Sequence, residues 1–430
     1  MVFEETAVRD RPFGEVVPTP RSGAGRPGRS AWQDSKMDPF APARLGPIEL
    51  RNRFVKAATF EGMTPDHIVS DRLIEFHQAM AAGGVGLTTV AYCAVSREGC
   101  GTPNEIVLGP EAVPGFARLA EAVHAEGAAL SVQIGHAGAV AAATGHRGRS
   151  PSPIFSPLAM RRTRSVDDSD IDRITGEFGG AAKLLVDAGV DAVEVHLGHG
   201  YLLSEFLSPK LNRRQDRWGG PLANRSRFPR QVLDAVRSST SGRLAVIAKV
   251  NMSDGVPGGF WLDESVEFAR MLESDGSVDA IELTAGSSLE NPMYLFRGEP
   301  PIREMSAAFR FPMNIGLRLV GKKFLHTYPF EEAYLLPFAR QFRQAVSLPL
   351  ILLGGINRAD TVQSALDEGF DFVALGRSLL REPDLVNKLR EGSSRASLCI
   401  HCNKCMPTIY RGTHCVLVPE AERPGRRRAS

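Results

Sequence analysis

Short runs of branched apolar residues alternate along the chain with longer stretches in which apolar residues recur every three or four positions. The short runs fall at 54–57, 86–90, 129–134, 192–196, 245–250, 280–284, 350–353 and 372–375. Runs of this length bounded by polar and glycine-rich segments read as buried strands. The stretches at 116–126, 177–188, 262–273 and 359–368 each show one apolar face, as an amphipathic helix does. Regular alternation of strand and helix predicts βα units. Eight of them over about 320 residues predict an α/β protein, a closed (β/α)8 TIM barrel in a single domain. Gly189-Val190-Asp191 and Gly369-Phe370-Asp371 stand between a predicted helix and the next strand, where glycine ends the helix in a left-handed conformation. Both motifs speak for the fold and not for a function.

One interval breaks the rhythm. Between Thr284 and Ser347 the chain is rich in aromatics and methionine, among them Met293, Tyr294, Phe309, Phe311 and Tyr328. A lid or substrate wall at the catalytic face and an extra packed subdomain are both open. Residues 1–37 are expected to form a disordered extension, since Pro, Gly and Arg dominate and no apolar stretch is present. Met37 directly precedes Asp38-Pro39-Phe40 and offers an alternative start of translation. The barrel is expected over 38–395, a cysteine-rich segment over 396–418 and a basic, disordered tail over 419–430.

Composition narrows the function classes. Hydrophobic residues make up 43% and charged residues 23% of the 430, which fits a large core. A formal charge of +2 argues against nucleic acid as a partner. No apolar run approaches the roughly 20 residues of a membrane span. A soluble, cytoplasmic protein acting on a small molecule is expected, and self-association into a homo-oligomer stays open. Of six cysteines, Cys399, Cys402, Cys405 and Cys415 crowd into the C-terminal part. Their spacing suits metal or redox chemistry more than disulfides. An iron–sulfur cluster, zinc and metal-free thiols are the alternatives.

The residues that carry chemistry sit at the expected strand ends. The fourth run leads into His196-Leu197-Gly198-His199-Gly200-Tyr201, two imidazoles and a phenol within six residues. The C-terminal end of a barrel strand is where such a fold keeps its active site. The seventh and eighth runs end in Gly354-Gly355 and in Gly376-Arg377. Glycine there leaves backbone N–H groups accessible to a phosphate and Arg377 adds a permanent cation, although glycine is also common at ordinary strand ends. His-x-x-His can ligate zinc, which keeps a metal-dependent hydrolase built on His196 and His199 among the alternatives.

The stretch Val193-Glu194-Val195-His196-Leu197-Gly198-His199-Gly200-Tyr201, followed by Phe206-Leu207-Ser208-Pro209 and Asn212-Arg213, resembles the Old Yellow Enzyme family of flavin-dependent reductases. Val132-Gln133-Ile134-Gly135-His136-Ala137-Gly138 and Asn52-Arg53-Phe54-Val55-Lys56-Ala57-Ala58-Thr59 extend the likeness, which covers about residues 38–418. The resemblance implies FMN as cofactor and NAD(P)H as hydride donor, working by a ping-pong scheme on an α,β-unsaturated carbonyl or similar activated C=C bond. It implies that His196 and His199 grip the electron-withdrawing group and that Tyr201 protonates the substrate. It places Gln133 at the pyrimidine edge of the flavin, Lys249 beside N1 and O2, and Ala58, Thr59 and Tyr92 in backbone contact with the ring. Phe60 and Tyr92 depart from the family, which carries Thr or Cys and a small residue there. No Gly-x-Gly-x-x-Gly follows a strand, which agrees with a nicotinamide that visits the flavin. Larger relatives, the bacterial dienoyl-CoA reductases, hold a four-iron cluster after the barrel, with a third cysteine one residue later than Cys405. Oxidation of an amine, as in related dehydrogenases, is the alternative within flavin chemistry; a catalytically silent flavin- or metal-binding protein is another.

Overall fold

The computed structural model describes residues 37–141, 147–156, 161–309, 311 and 313–426. Eight parallel strands form its centre: β1 Phe54–Lys56, β2 Leu87–Ala94, β3 Ala129–Gly135, β4 Ala192–Leu197, β5 Ala245–Asn251, β6 Ala280–Thr284, β7 Leu350–Leu353 and β8 Phe372–Leu375. Each pairs with the next, and β8 closes on β1 with Ala374 opposite Val55. All eight expected strands are present, with ends shifted by at most one residue except in β2. That strand runs on to Ala94 through a register shift between Val90 and Cys93, a bulge that re-aims Tyr92.

The helices that wrap the barrel are α1 Asp71–Ala82, α2 Val113–Ala125, α3 Asp168–Asp187, α4 Arg227–Thr240, α5 Leu262–Asp275, α6 Leu336–Ala345, α7 Ala359–Asp367 and α8 Leu385–Glu391. Helix α3 begins nine residues before its expected start. Asp167 and Asp170 form a capping box there, and Ile171 and Ile174 already continue the buried stripe of Phe178. Gly189 and Gly369 take φ of +73° and +90°, as helix-ending glycines should.

Strand alternation sorts the side chains into two populations. Val193, Val195, Val246, Ala248 and Val250 point outward and join the core shared with the helices. Ala192, Ala245, Ile247, Ala280, Ile351 and Phe372 point inward and fill the lower barrel. The antiparallel hairpin Ala43–Leu45 with Ile48–Leu50 plugs this floor through Leu45 and Leu50. On β3 to β6 the next inward positions are polar, Gln133, Glu194, Lys249 and Glu282, while β1, β7 and β8 continue with Ala57, Leu353 and Ala374.

The interval after β6 holds the helices Ile302–Ala308 and Met313–Phe324, packed on each other, with Phe311, Ile315 and Leu319 exposed. Helix Ile302–Ala308 also packs on the turn Met406–Tyr410 of the cysteine segment. Within the tail expected over 419–430, residues 419–422 are exposed, while the Gly425 carbonyl accepts from Arg72 Nε at 2.8 Å and glycine's bare Cα lets the chain lie against α1. Met37, expected in the N-terminal extension, has its carbonyl bonded by Gln363 Nε2 at 3.1 Å. Residues 1–36 and 427–430 lie outside the described residues. Among the described residues no helix is long and apolar enough to cross a membrane.

Candidate functional site

Strand β4 delivers its two histidines to the C-terminal mouth of the barrel, and the turn after it is tightly constrained. A Cβ on Gly198 would stand 3.0 Å from Asn251 Oδ1 and from Thr284 Cγ2. His199 follows with φ of +59°, a left-handed conformation that a side chain adopts only when its surroundings hold it. They do: Asn251 Oδ1 accepts the His199 N–H at 3.1 Å, and the His199 carbonyl accepts from Ser288 N at 2.8 Å. The imidazole Nε2 meets Thr284 Oγ1 at 2.8 Å and Nδ1 meets His196 Nε2 at 3.3 Å.

Gly198 N donates to His196 Nδ1 at 3.3 Å, so the His196 proton sits on Nε2 and faces His199. Two N–H donors aimed jointly at one external oxygen were expected from the sequence. Instead the rings bond to each other and to Thr284, and an incoming acceptor has to replace these bonds. Both imidazoles are neutral at physiological pH. Burial lowers them first, then for His196 the His199 and Lys249 charges, and for His199 the Lys249 charge, which leaves His199 at about 3.

Tyr201 closes the group. Its ring lies 4.6 Å from His196 and stacks on Tyr92 at 5.0 Å, between centroids. The bulge in β2 turns Tyr92 into this position, where its hydroxyl donates to the Gly99 carbonyl at 3.2 Å and a Cβ at Gly135 would overlap its ring. A residue expected to offer only its backbone thus builds the wall opposite Tyr201 with its side chain. Burial raises the Tyr201 phenol well above its ordinary range, helped by the nearby Glu105 and Tyr410, while a hydrogen bond with Ser288 opposes the shift. Glu105 is itself buried and raised to about 8, although Gly101 N donates to it at 2.6 Å.

Below the histidines lies a charged layer. Lys249 is fully buried and bonds Glu282, with Glu194 Oε1 at 3.4 Å; Gln133 Nε2 donates to the same Glu194 oxygen at 2.5 Å. Two carboxylates around one ammonium in a dry barrel cannot both stay ionised cheaply. Burial and Glu282 raise Glu194 to about 8, and Lys249 is held up by the two glutamates against its own burial. The layer therefore keeps one proton on its carboxyl pair and a charged lysine. Glu194 Oε2, Glu282 Oε2 and, at the end of β1, Thr59 Oγ1 are buried without a protein partner. Such orphaned polar atoms fit a bound group with polar edges.

At the ends of β7 and β8, Gly354 and Gly355 take φ of +109° and +73°, and Leu335 and Tyr334 pack where their Cβ atoms would be. Gly376 opens the short helix Arg377–Arg381. The Arg377 guanidinium, expected to face a phosphate, bonds Asn403 Oδ1 and lines a cavity with Cys399, Cys402, Cys405 and Cys415. The structure thus gathers all four thiols. Among the described residues no three His, Cys, Asp or Glu side chains converge tightly enough to clasp one metal ion. Burial first, and then the neighbouring thiols, raise the Cys399 and Cys405 thiols, Cys405 to about 12.

The cysteine segment is tied to the mouth. Thr413 N donates to the Glu61 carbonyl at 2.7 Å and Thr413 Oγ1 to the Phe60 carbonyl at 2.5 Å. Gly62 lies so close to the Ile409 carbonyl that no side chain fits. Glu61 in turn holds Lys56 at 2.7 Å and accepts from Ala91 N at 3.1 Å, which locks the ends of β1 and β2. The loop 204–227 is held by Asn212 Nδ2 on the Phe206 and Trp218 carbonyls and by an Arg214–Asp216 pair. Its Ser204 Oγ accepts from Gly200 N at 3.2 Å in the turn after His199, and the histidines themselves are held by Asn251, Thr284 and Ser288. Reading of the sequence missed these, together with Glu194, Glu282 and Glu105. A period-two count would have found Glu194 two residues before His196, Asn251 two after Lys249 and Thr284 two after Glu282.

The family described as NADH:flavin oxidoreductase / NADH oxidase matches residues 38–290. The chain is 55% identical over 393 residues to the 4,4'-dithiodibutanoate disulfide reductase of Rhodococcus erythropolis, covering 90% of this chain and 98% of that one. It is 35% identical over 391 residues to the metal reductase of Desulforamulus reducens, covering 89% of this chain and 54% of the relative, so it spans about half that protein's length. Its fold is like that of a solved 2-naphthoyl-CoA reductase, with a TM-score of 0.75 at 24% identity over 89% of this chain and 57% of the other. This membership sets aside the zinc hydrolase considered for His196 and His199. The chain belongs to the NADH:flavin oxidoreductase / NADH oxidase family, with an Old Yellow Enzyme-like barrel, and is an FMN-binding, NAD(P)H-dependent oxidoreductase.

Proposed function

We propose that the chain reduces an activated C=C bond at the expense of NAD(P)H, with the acceptor's electron-withdrawing group at His196 and His199 and with Tyr201 as proton donor. The clustered triad carries this reading: His196, which is buried, lies 5.0 Å from the half-buried His199 and 4.6 Å from the half-buried Tyr201 between ring centroids, all at one strand end. Neutral imidazoles offer N–H donors to a developing enolate without attracting a counter-ion beforehand. The His196 Nε2 proton, now shared with His199, is the donor nearest to hand. The Tyr201 phenol stays protonated because burial raises it, so it acts as an acid only when a carbanion or enolate draws the proton.

FMN, when bound, supplies the hydride that NAD(P)H delivers. The orphaned Thr59, Glu194 and Glu282 oxygens support its fit in the mouth. Ala58, Thr59, Tyr92, Gln133 and Lys249 would hold the ring, and Gly354, Gly355, Gly376 and Arg377 the phosphate. Cys399, Cys402, Cys405 and Cys415 would hold an iron–sulfur cluster: thiols spread around a cavity suit a multi-atom cluster better than one zinc ion. Iron and sulfide analysis of anaerobically purified protein tests this, and a metal-free preparation with four titratable thiols contradicts it.

A second reading is reduction of an organic disulfide, favoured by the 55% identity to a reductase named for one. There the hydride goes to one sulfur, the S–S bond breaks, and Tyr201 protonates the leaving thiolate. Anaerobic stopped-flow reoxidation decides between the two. Protein reduced by NADPH or NADH is mixed with cyclohexenone or with 4,4'-dithiodibutanoate. Fast reoxidation by the enone supports the first reading, and by the disulfide alone the second. Reoxidation by neither contradicts both and points to amine oxidation.

A further inference from the structure

The acceptor site has a wall that the reading above does not use. Turn 406–410 of the cysteine segment is pinned beside the mouth by Gly62 against the Ile409 carbonyl and by Thr413 on the Phe60 carbonyl. Its last residue, Tyr410, meets Phe309 edge-on at 5.4 Å between centroids and stays 38% exposed. Phe60 and Tyr201 pack on the cluster of Tyr92, Ala94 and Cys100. Phe60, Tyr92, Tyr201, Phe309 and Tyr410, from five separate segments, thus bring aromatic rings to the mouth, and Tyr410 and Phe309 leave a partly exposed apolar edge. Tyr410 is close enough to Tyr201 to help hold the Tyr201 phenol in its protonated form.

We propose that Tyr410, with Phe309 behind it, is a specificity-determining wall that selects acceptors carrying a flat aromatic group next to the reacting bond. This rests on the acceptor site at His196, His199 and Tyr201. An aryl group lying on Tyr410 gains an aromatic contact that an alkyl group lacks. The wall also gives the cysteine segment a part in substrate choice: whatever holds its thiols holds Tyr410 in place.

The test compares cinnamaldehyde with crotonaldehyde, which differ by phenyl against methyl on the reacting carbon. The ratio of their kcat/KM values cancels any change in reduction by nicotinamide, a step both share. Tyr410→Ala is expected to lower that ratio about five- to tenfold. Tyr410→Phe, which keeps the ring, is expected to hold it within about twofold, and Phe309→Ala to lower it by a smaller factor. Flavin content and thermal midpoint report whether each variant is folded. A folded Tyr410→Ala with an unchanged ratio overturns the wall while leaving the acceptor site intact. A wild-type protein that NAD(P)H reduces but neither aldehyde reoxidises overturns both.

Discussion

Ile247 and Lys249 sit two residues apart on one face of one strand, and they belong to different worlds. Ile247 is part of a floor that fills itself with apolar side chains and is sealed by a hairpin. Lys249, one step higher, stands in a layer where two carboxylates share a proton and two oxygens have no protein partner. Floors of this kind satisfy themselves. The upper layer does not, and burying its charges costs free energy that only a bound group or function can justify. The boundary between scaffold and site therefore runs across the barrel axis, within single strands.

Substitutions on either side of that boundary sharpen the contrast. Lys249→Met leaves Glu194 and Glu282 buried without their cation and is expected to cost about 3–5 kcal/mol in urea denaturation at pH 7.5. Part of this loss should return at pH 5, where protonated carboxyls need no partner. A cost that does not depend on pH would contradict the shared-proton layer.

Glu105 offers an effect of similar size. Its carboxyl is raised by burial to about 8 in the fold, against an ordinary value near 4.5. Its stabilising contribution is complete below the unfolded value and is lost as pH rises through about 8. Roughly 5 kcal/mol at most should disappear across that window. In Glu105→Gln the pH dependence of stability should be flatter by that amount; parallel curves for variant and wild type would contradict a buried, protonated Glu105.

In the floor, Ile247→Val should cost about 1 kcal/mol and leave both half-reactions unchanged. A change in the rate of flavin reoxidation would break the division between the layers.

Much of the barrel was legible because apolar periodicity is a property of the chain itself. All eight strands followed from it, and α3 began early only because a capping box lies upstream of the obvious apolar stripe. The triad was legible because His196, His199 and Tyr201 fall within six residues. What escaped depends on contacts between distant strands: Glu194 and Glu282 read as ordinary polar residues until the barrel closes them around Lys249. The side chain of Tyr92 escaped because a bulge, invisible in the sequence, redirects it. Tyr410 is 209 residues from Tyr201 along the chain, and only the cysteine segment's return to Phe60 and Glu61 brings them together.

The central claim is that Tyr201 acts on the acceptor and not on the hydride donor. Rapid-mixing measurement of the two half-reactions in Tyr201→Phe tests it most directly. Reduction of the flavin by NAD(P)H is expected to stay within about twofold of wild type, while reoxidation by the acceptor slows about 100-fold or more, the range of a lost general acid. Equal slowing of both half-reactions, or of neither, would contradict the assignment.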